Sequence, residues 1–136
     1  MSERAIVLGG RHLHYLFCIP GHEGQNIHRL TDNIIQNLHR KPAFLHALET
    51  NDGIFIDELE FASAEFLNAL DNVLRYVRKK NTFFGGMMVF ATMDVQQLPP
   101  IQGHPCLVSS LILTSFRLVM LNEYVRSRTD EILQRI

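Results

Sequence analysis

Nowhere in these 136 residues does Gly-Lys-Ser or Gly-Lys-Thr occur, so the chain carries no P-loop of its own. Gly9-Gly10 ends an apolar stretch but lacks the lysine and hydroxyl that such a loop requires. Cysteine is almost absent. Cys18 and Cys106 stand in different contexts with no Cys-x-x-Cys between them, which excludes a disulfide framework and implies reduced thiols. An excess of one charge is also missing: the formal net charge is −1, so there is no broad basic footprint and any DNA contact must be local. No run is long and clean enough to cross a membrane, because Cys106 to Leu121 is interrupted by serines, a threonine and Arg117. Met1-Ser2-Glu3-Arg4-Ala5 has no signal-peptide pattern, and no repeat, low-complexity tract or linker is present. His12, His14, Cys18 and His22 match no familiar zinc spacing, and Pro20-Gly21 interrupts them. What remains, 46% apolar and 20% charged, is the composition of one intracellular domain with one core.

The pattern along the chain alternates. Ala5 to Leu8 reads as a strand, His12 to Phe17 as a short helix, and Asn26 to Leu48 as helix that Pro42 must kink or split. Ile54-Phe55-Ile56 is a second strand. From Ser63 to Lys80, Phe66, Leu67, Leu70, Val73, Leu74 and Val77 recur at helical spacing, with Ser63 as N-cap and basic residues at the far end. Met87 to Ala91 is a third strand, Leu107 to Thr114 a helix, Leu118 to Leu121 a fourth strand, and Glu123 to Ile136 a final helix. Strands alternating with helices imply a layered α/β unit with a mostly parallel sheet, and unbroken apolar strands imply burial on both sheet faces.

The residues that could carry chemistry sit at strand ends. Gly53-Ile54-Phe55-Ile56 terminates in Asp57 and Glu58. At an apolar strand tip, such a pair can hold a nucleotide-bound magnesium with one carboxylate and poise a water with the other. The alternative is an acidic pair that merely caps a strand and begins a turn. Met87 to Ala91 leads into Asp94-Val95-Gln96-Gln97-Leu98-Pro99-Pro100. There Gln97 could sense a γ-phosphate or position water, Gln96 reads as a solvated loop residue, and Asp94 could anchor the loop through backbone N–H groups. Two parallel strands delivering polar groups at their carboxyl ends make an active-site edge. Arg126 and Arg128, at a helix start, could neutralise phosphate charge, or could share a solvated helix face with Asp130 and Glu131.

Ile56-Asp57-Glu58-Leu59, Phe84-Gly85-Gly86 and the segment Asp94 to Pro100 together resemble the Pif/RecD branch of superfamily-one DNA helicases, its Pif-type members above all. Gly9-Gly10-Arg11-His12-Leu13-His14-Tyr15-Leu16-Phe17 is similar to that family's motif Ia, and Leu121 to Arg126 to its motif IV. The resemblance implies one partial RecA-like domain over residues 1–136, a three-layer P-loop NTPase fold without its P-loop strand, holding motifs Ia, II, III and the start of IV. It implies ATP and magnesium as cofactors, single-stranded and duplex DNA as partners, no membrane, a nuclear location, a part in DNA repair and recombination, and five-prime to three-prime unwinding driven by ATP hydrolysis. Asp57 would bind magnesium, Glu58 would act as base, Gln97 would couple nucleotide to DNA and Arg126 would stabilise transferred charge. Asp57, Asp94, Gln97 and Arg126 would surround the nucleotide, and His14 and Arg11 would touch DNA.

Three positions depart from the family pattern. Met93 replaces a glycine, which would strain the loop at a positive φ. Glu60 replaces a serine and adds charge close to the metal, and His12 replaces a threonine. With neither Walker A nor motifs V and VI, the chain reads as an internal fragment or decayed copy of a helicase's first motor domain, inactive alone. Two alternatives are a non-catalytic module binding single-stranded DNA or a protein, and a small phosphohydrolase using Asp57 and Glu58.

Overall fold

The structure is a computed structural model that describes residues 7, 9–11, 13–17, 26–94, 96, 100 and 103–121, and for His14 the backbone alone. Gln97, Arg126, Arg128, His12, Cys18, His22 and the expected helix over Glu123 to Ile136 lie outside the described residues.

Helix α1 is a single turn, Leu13–Leu16. The long helical stretch that follows is split as Pro42 requires. Helix α2 runs Ile27–His39, and α3 runs Pro42–Thr50 with the proline in its first turn, where its missing N–H costs nothing. The Asn26 side chain accepts the His28 N–H and caps α2. Strand β1, Gly53–Ile56, leads to a 3-10 turn at Leu59–Phe61 and then helix α4, Ala64–Arg78. Strand β2 is Met88–Ala91. A 3-10 turn at Cys106–Val108 precedes helix α5, Ser110–Ser115. Sequence periodicity had merged these last two into one helix. Ser109 separates them because its extended backbone and side chain cap α5, accepting the Leu111 N–H.

Helix α4 organises the core. Ser63 accepts the Phe66 N–H at its amino end, and Lys79 closes the other end in the left-handed conformation, φ 53°. Phe66, Leu67, Leu70, Val73 and Leu74 are fully buried, against Leu30, Ile34 and Leu38 of α2. Each such side chain contributes about 1.5–3 kcal/mol by leaving water. Polar groups on α4 tie its neighbours down. Arg78 donates from Nε to the Gly85 carbonyl and from Nη1 to the carbonyls of Leu48, Glu49 and Asn51, so one guanidinium satisfies the otherwise open carboxyl end of α3. Asp71 accepts from Arg75 Nε and from the buried Phe84 N–H.

The turn Phe83–Gly86 explains the Phe-Gly-Gly motif. Phe84, Gly85 and Gly86 all take positive φ, 51°, 60° and 74°. A Cβ on Gly85 would run into the Leu74 carbonyl, so helix and turn pack backbone against backbone there. Phe84 inserts its ring into the core, edge-on to Phe116.

Strands β1 and β2 pair in parallel, Gly53 with Met88, Ile54 with Val89, Phe55 with Phe90 and Ile56 with Ala91. The fold is α/β as expected, and its described sheet has two strands. Burial on both faces is not what the described residues show. Ile54, Ile56, Val89 and Ala91 face the core, whereas Phe55, Met88 and Phe90 are 64%, 59% and 56% exposed. An unbroken apolar run marks surface able to be buried on both sides; it does not supply the second layer. The expected strand at Leu118 to Leu121 is corrected for a similar reason. Its residues form no ladder among the described residues and are 72–90% exposed. Of the strand expected at Ala5 to Leu8, only Val7 is described, and it is helical and exposed.

Candidate nucleotide site at two strand tips

The carboxyl ends of β1 and β2 are locked together by Thr92. Its N–H donates to the Ile56 carbonyl at 2.9 Å, continuing the ladder one step beyond the strands. Its carbonyl accepts the Leu59 N–H at 2.9 Å, and its hydroxyl oxygen accepts the Glu58 N–H at 3.0 Å. The same hydroxyl donates to Asp57 Oδ1. Thus a single residue on the second strand fixes four consecutive residues of the first, Ile56 to Leu59, including both carboxylate-bearing positions. The contact to the ionised oxygen is a charge-assisted bond, roughly twice the strength of a neutral one. Asp57 is exposed and Glu58 half-buried.

Glu58 is held in the left-handed region, φ 59° and ψ 51°. A non-glycine residue there costs on the order of 1 kcal/mol and persists only where its surroundings impose it, a pattern that clusters at functional sites. Here the imposing groups are the Thr92 hydroxyl behind the Glu58 N–H and the 3-10 turn that begins at Leu59.

Of the residues that depart from the family pattern, Glu60 turns inward. It is 7% exposed, and its Oε2 accepts the Asp94 N–H at 3.2 Å, joining the loop after β2 to the turn after β1. Asp94 in turn accepts the Gln96 N–H at 3.0 Å, the loop-anchoring task expected of it. Met93 is not among the residues with positive φ, so the strain that replacing glycine would bring does not arise. Its side chain packs on the core, with its sulfur 3.6 Å from Cys106 Sγ. Burial, and next the charge of Glu60, push the Cys106 thiol above its ordinary pKa, which keeps it an inert core group.

Further along, the loop returns to the start of α4. Glu65 Oε2 accepts the His104 N–H and Oε1 meets His104 Nδ1, while the Ala64 N–H donates to the His104 carbonyl. The His104 hydrogen bond holds the Glu65 carboxyl below the usual carboxylate range. Both ends of the segment following β2 are therefore anchored, at Glu60 and at Glu65.

The structure brings Asp57, Glu58 and Asp94 to one edge of the sheet; Gln97 and Arg126 lie outside the described residues. Arg11 is exposed, near the Tyr15 ring. Sequence reasoning missed Thr92, and it placed Glu60 beside the metal where the side chain instead turns inward to the Asp94 N–H. The available signal was a hydroxyl residue one step past an apolar strand that ends beside an acidic tip. Among the described residues no three His, Cys, Asp or Glu side chains cluster as a protein-only metal cage, and no helix is long and apolar enough to cross a membrane.

Known proteins resemble this chain in sequence and in fold. The family model described as PIF1-like helicase matches residues 4–134. The ATP-dependent DNA helicase Pif1 of a Psychrobacter species is 35% identical over 72 residues, 53% of this chain and 11% of its own length. Among solved structures, Pif1 helicase from Candida albicans superposes with a TM-score of 0.69 at 25% identity, covering 81% of this chain and 24% of that one. Pif1 helicase from Bacteroides, in complex with ADP-AlF3 and ssDNA, gives 0.56 at 26% identity, covering 82% and 24%. The chain spans about a tenth of that Psychrobacter relative and about a quarter of those two solved chains.

Proposed function

The chain belongs to the PIF1-like helicase family, and from that premise we propose that it forms the strand-tip part of the first RecA-like domain of an ATP-dependent DNA helicase. The activity of the whole motor is five-prime to three-prime unwinding of duplex DNA coupled to ATP hydrolysis, with single-stranded DNA as the track. Its place is the nucleus, in DNA repair and recombination. The observation that carries this reading is the Thr92 bridge, which sets Asp57 and Glu58 at the tip of one parallel strand against the loop leaving the other.

The donor set suits magnesium. That ion, when it arrives with nucleotide phosphates, takes one or two carboxylates and keeps several waters, so a single exposed aspartate is the right number of protein ligands. Thr92 engages Oδ1 of Asp57, and the carboxylate of Asp57 would hold the metal and so supply the protein charge that fixes magnesium–ATP there. Bound magnesium–ATP would supply the transferable phosphoryl group and the charge that orders it. The chain's own residues do the rest. Glu58, aimed by its left-handed backbone, orients the attacking water and takes its proton. Asp94 anchors the loop at the other strand tip; by family resemblance Gln97 would link nucleotide state to DNA, and Arg126 would offset charge on the γ-phosphate. Arg11 and His14 contact the DNA backbone.

The 136 residues alone do not turn over ATP, because nothing in them replaces the P-loop lysine and its backbone cradle. That same absence favours a second reading, a non-catalytic RecA-like module that binds single-stranded DNA or a protein partner. Oligonucleotide affinity measured with and without magnesium–ATP separates the two. A motor fragment changes its affinity when nucleotide is added; a passive module binds identically in both conditions. ATP hydrolysis stimulated by DNA in the purified chain would contradict the predicted inactivity.

A further inference from the structure

We propose that Thr82 is a phosphorylation site for a protein kinase with an acidic peptide groove, and that the added phosphate ties Thr82 to Lys80 across the Phe83–Gly86 turn. The site is separate from the strand tips. Thr82 precedes the amino end of β2, whereas Asp57 and Glu58 follow the carboxyl end of β1.

Other serine and threonine hydroxyls are occupied by the fold. Ser63 and Ser109 cap helices, Thr31, Thr50 and Thr114 donate to carbonyls one helical turn back, and Thr92 bridges the strand tips. Ser115 meets Thr114. Among the described residues only Thr82 and Ser110 make no side-chain hydrogen bond, and Ser110 has no basic neighbour in sequence. Thr82 stands in the capping position before a 3-10 turn yet caps nothing. Its backbone is extended, φ −118° and ψ 162°, and Lys79 to Phe83 are all exposed. The Thr82 carbonyl accepts the Gly85 N–H at 2.9 Å. Among the described residues the N–H groups of Asn81, Thr82 and Phe83 have no backbone acceptor, so this segment can enter another protein's groove at little cost to the fold.

Charge decides which protein that is. Arg78, Lys79 and Lys80 stand four, three and two residues before Thr82, and Phe83 follows it. Arg78 is engaged with backbone carbonyls, but Lys79 and Lys80 have no carboxylate partner among the described residues. The dipole of α4 accounts for cations at its carboxyl end. It does not account for an idle hydroxyl in an exposed, extended segment beside them. A kinase selects such a segment by charge pattern, its carboxylates meeting the lysines.

ATP is the phosphoryl donor. Thr82 Oγ1 bonds to the γ-phosphorus, the bond from that phosphorus to the β–γ bridging oxygen breaks, ADP leaves, and the hydroxyl proton passes to a kinase carboxylate. The receiving group is already in place. A Cβ on Gly86 would lie 3.4 Å from Thr82 Oγ1 and 3.6 Å from Lys80 Cδ, so hydroxyl and lysine stem flank one point above the turn. A phosphate on Oγ1 therefore comes within reach of the Lys80 ammonium and makes a charge-assisted bond to it.

The test treats the complete 136-residue chain with magnesium–ATP and the catalytic subunit of a cyclic-AMP-dependent kinase, a basic-directed enzyme, and locates phosphate by fragment mass spectrometry. Near-stoichiometric phosphate is expected on Thr82, retained in Thr82→Ser and absent from that position in Thr82→Ala. Ser127 and Thr129, which follow Arg126 and Arg128, compete within the same chain. Phosphate there and not on Thr82, or no incorporation at all, overturns the proposal. After removal of nucleotide, the modified chain is expected to melt about 3 °C higher than the unmodified one. Lys80→Gln abolishes that rise, and about 0.5 M salt reduces it. An unchanged melting temperature in phosphorylated wild type overturns the tie to Lys80. Circular dichroism checks each variant's fold; should Thr82→Ala unfold, site mapping on wild type decides.

Discussion

The two faces of the β1–β2 ribbon are built from the same residue types and meet opposite fates. Ile54, Ile56, Val89 and Ala91 rest on the core around α4, while Phe55, Met88 and Phe90 look outward. The difference teaches that this chain completes one side of a layered α/β domain. Solvent-facing phenylalanines paired across a parallel register are strand residues made for a layer that the described residues do not include. The strand-tip edge tolerates this because its geometry depends on hydrogen bonds through Thr92 and Glu60, and not on burial of both faces.

The comparison is broken most severely from the packed side. Phe66→Ala in α4 removes a fully buried ring and is expected to cost about 3–5 kcal/mol, enough to unfold a marginal domain. Chemical denaturation measures it, and a loss below 1 kcal/mol would mean that α4 is not the centre of the core. Thr92→Val comes next. The substitution keeps the backbone bonds to Ile56 and Leu59 but removes the donor to Asp57 and the acceptor for Glu58, a cost of about 1–2 kcal/mol. Backbone NMR shifts should move at Asp57 and Glu58 while α4 stays unchanged.

Glu65→Gln has a smaller effect with a defined pH dependence. The Glu65 carboxyl is lowered from 4.5 by its His104 hydrogen bond, so its contribution is fully present above that value and is lost as pH falls through the folded-state pKa. The variant is therefore less stable than wild type near neutrality, and the two melting curves converge in acid. Parallel curves at all pH values would remove the Glu65–His104 hydrogen bond from the account. Phe90→Ser on the open face is the gentlest change, expected within about 0.5 kcal/mol of wild type. A loss above 2 kcal/mol would show that this face is covered in solution, by another part of the chain or by a second copy.

Local signals read well where they were redundant. Helix α4 announced itself by six apolar residues at helical spacing, a serine cap and a basic end, all pointing to one element. Pro42 marked the break between α2 and α3 because a proline cannot sit within a helix without losing a bond. The strand Ile54 to Ile56 and its end at Asp57-Glu58 were legible as an apolar run stopped by two charges. What stayed hidden was non-local. Thr92 and Asp57 are joined across 35 positions, and no spacing rule relates them. Glu60 read as charge added beside a metal, yet its side chain turns inward to the Asp94 N–H. Leu118 to Leu121 had strand composition, but a strand also needs a partner edge, which composition does not report.

The central claim is that Asp57 and Glu58 form the metal end of a nucleotide pocket held in place by the second strand tip. Paramagnetic broadening by manganese–ATP tests it directly, since amide NMR detects even weak, millimolar binding near each residue. The amides of Asp57, Glu58 and Thr92 should broaden first, and Asp57→Asn should abolish the effect. Broadening centred elsewhere on the molecule, or unchanged in Asp57→Asn, would contradict the claim.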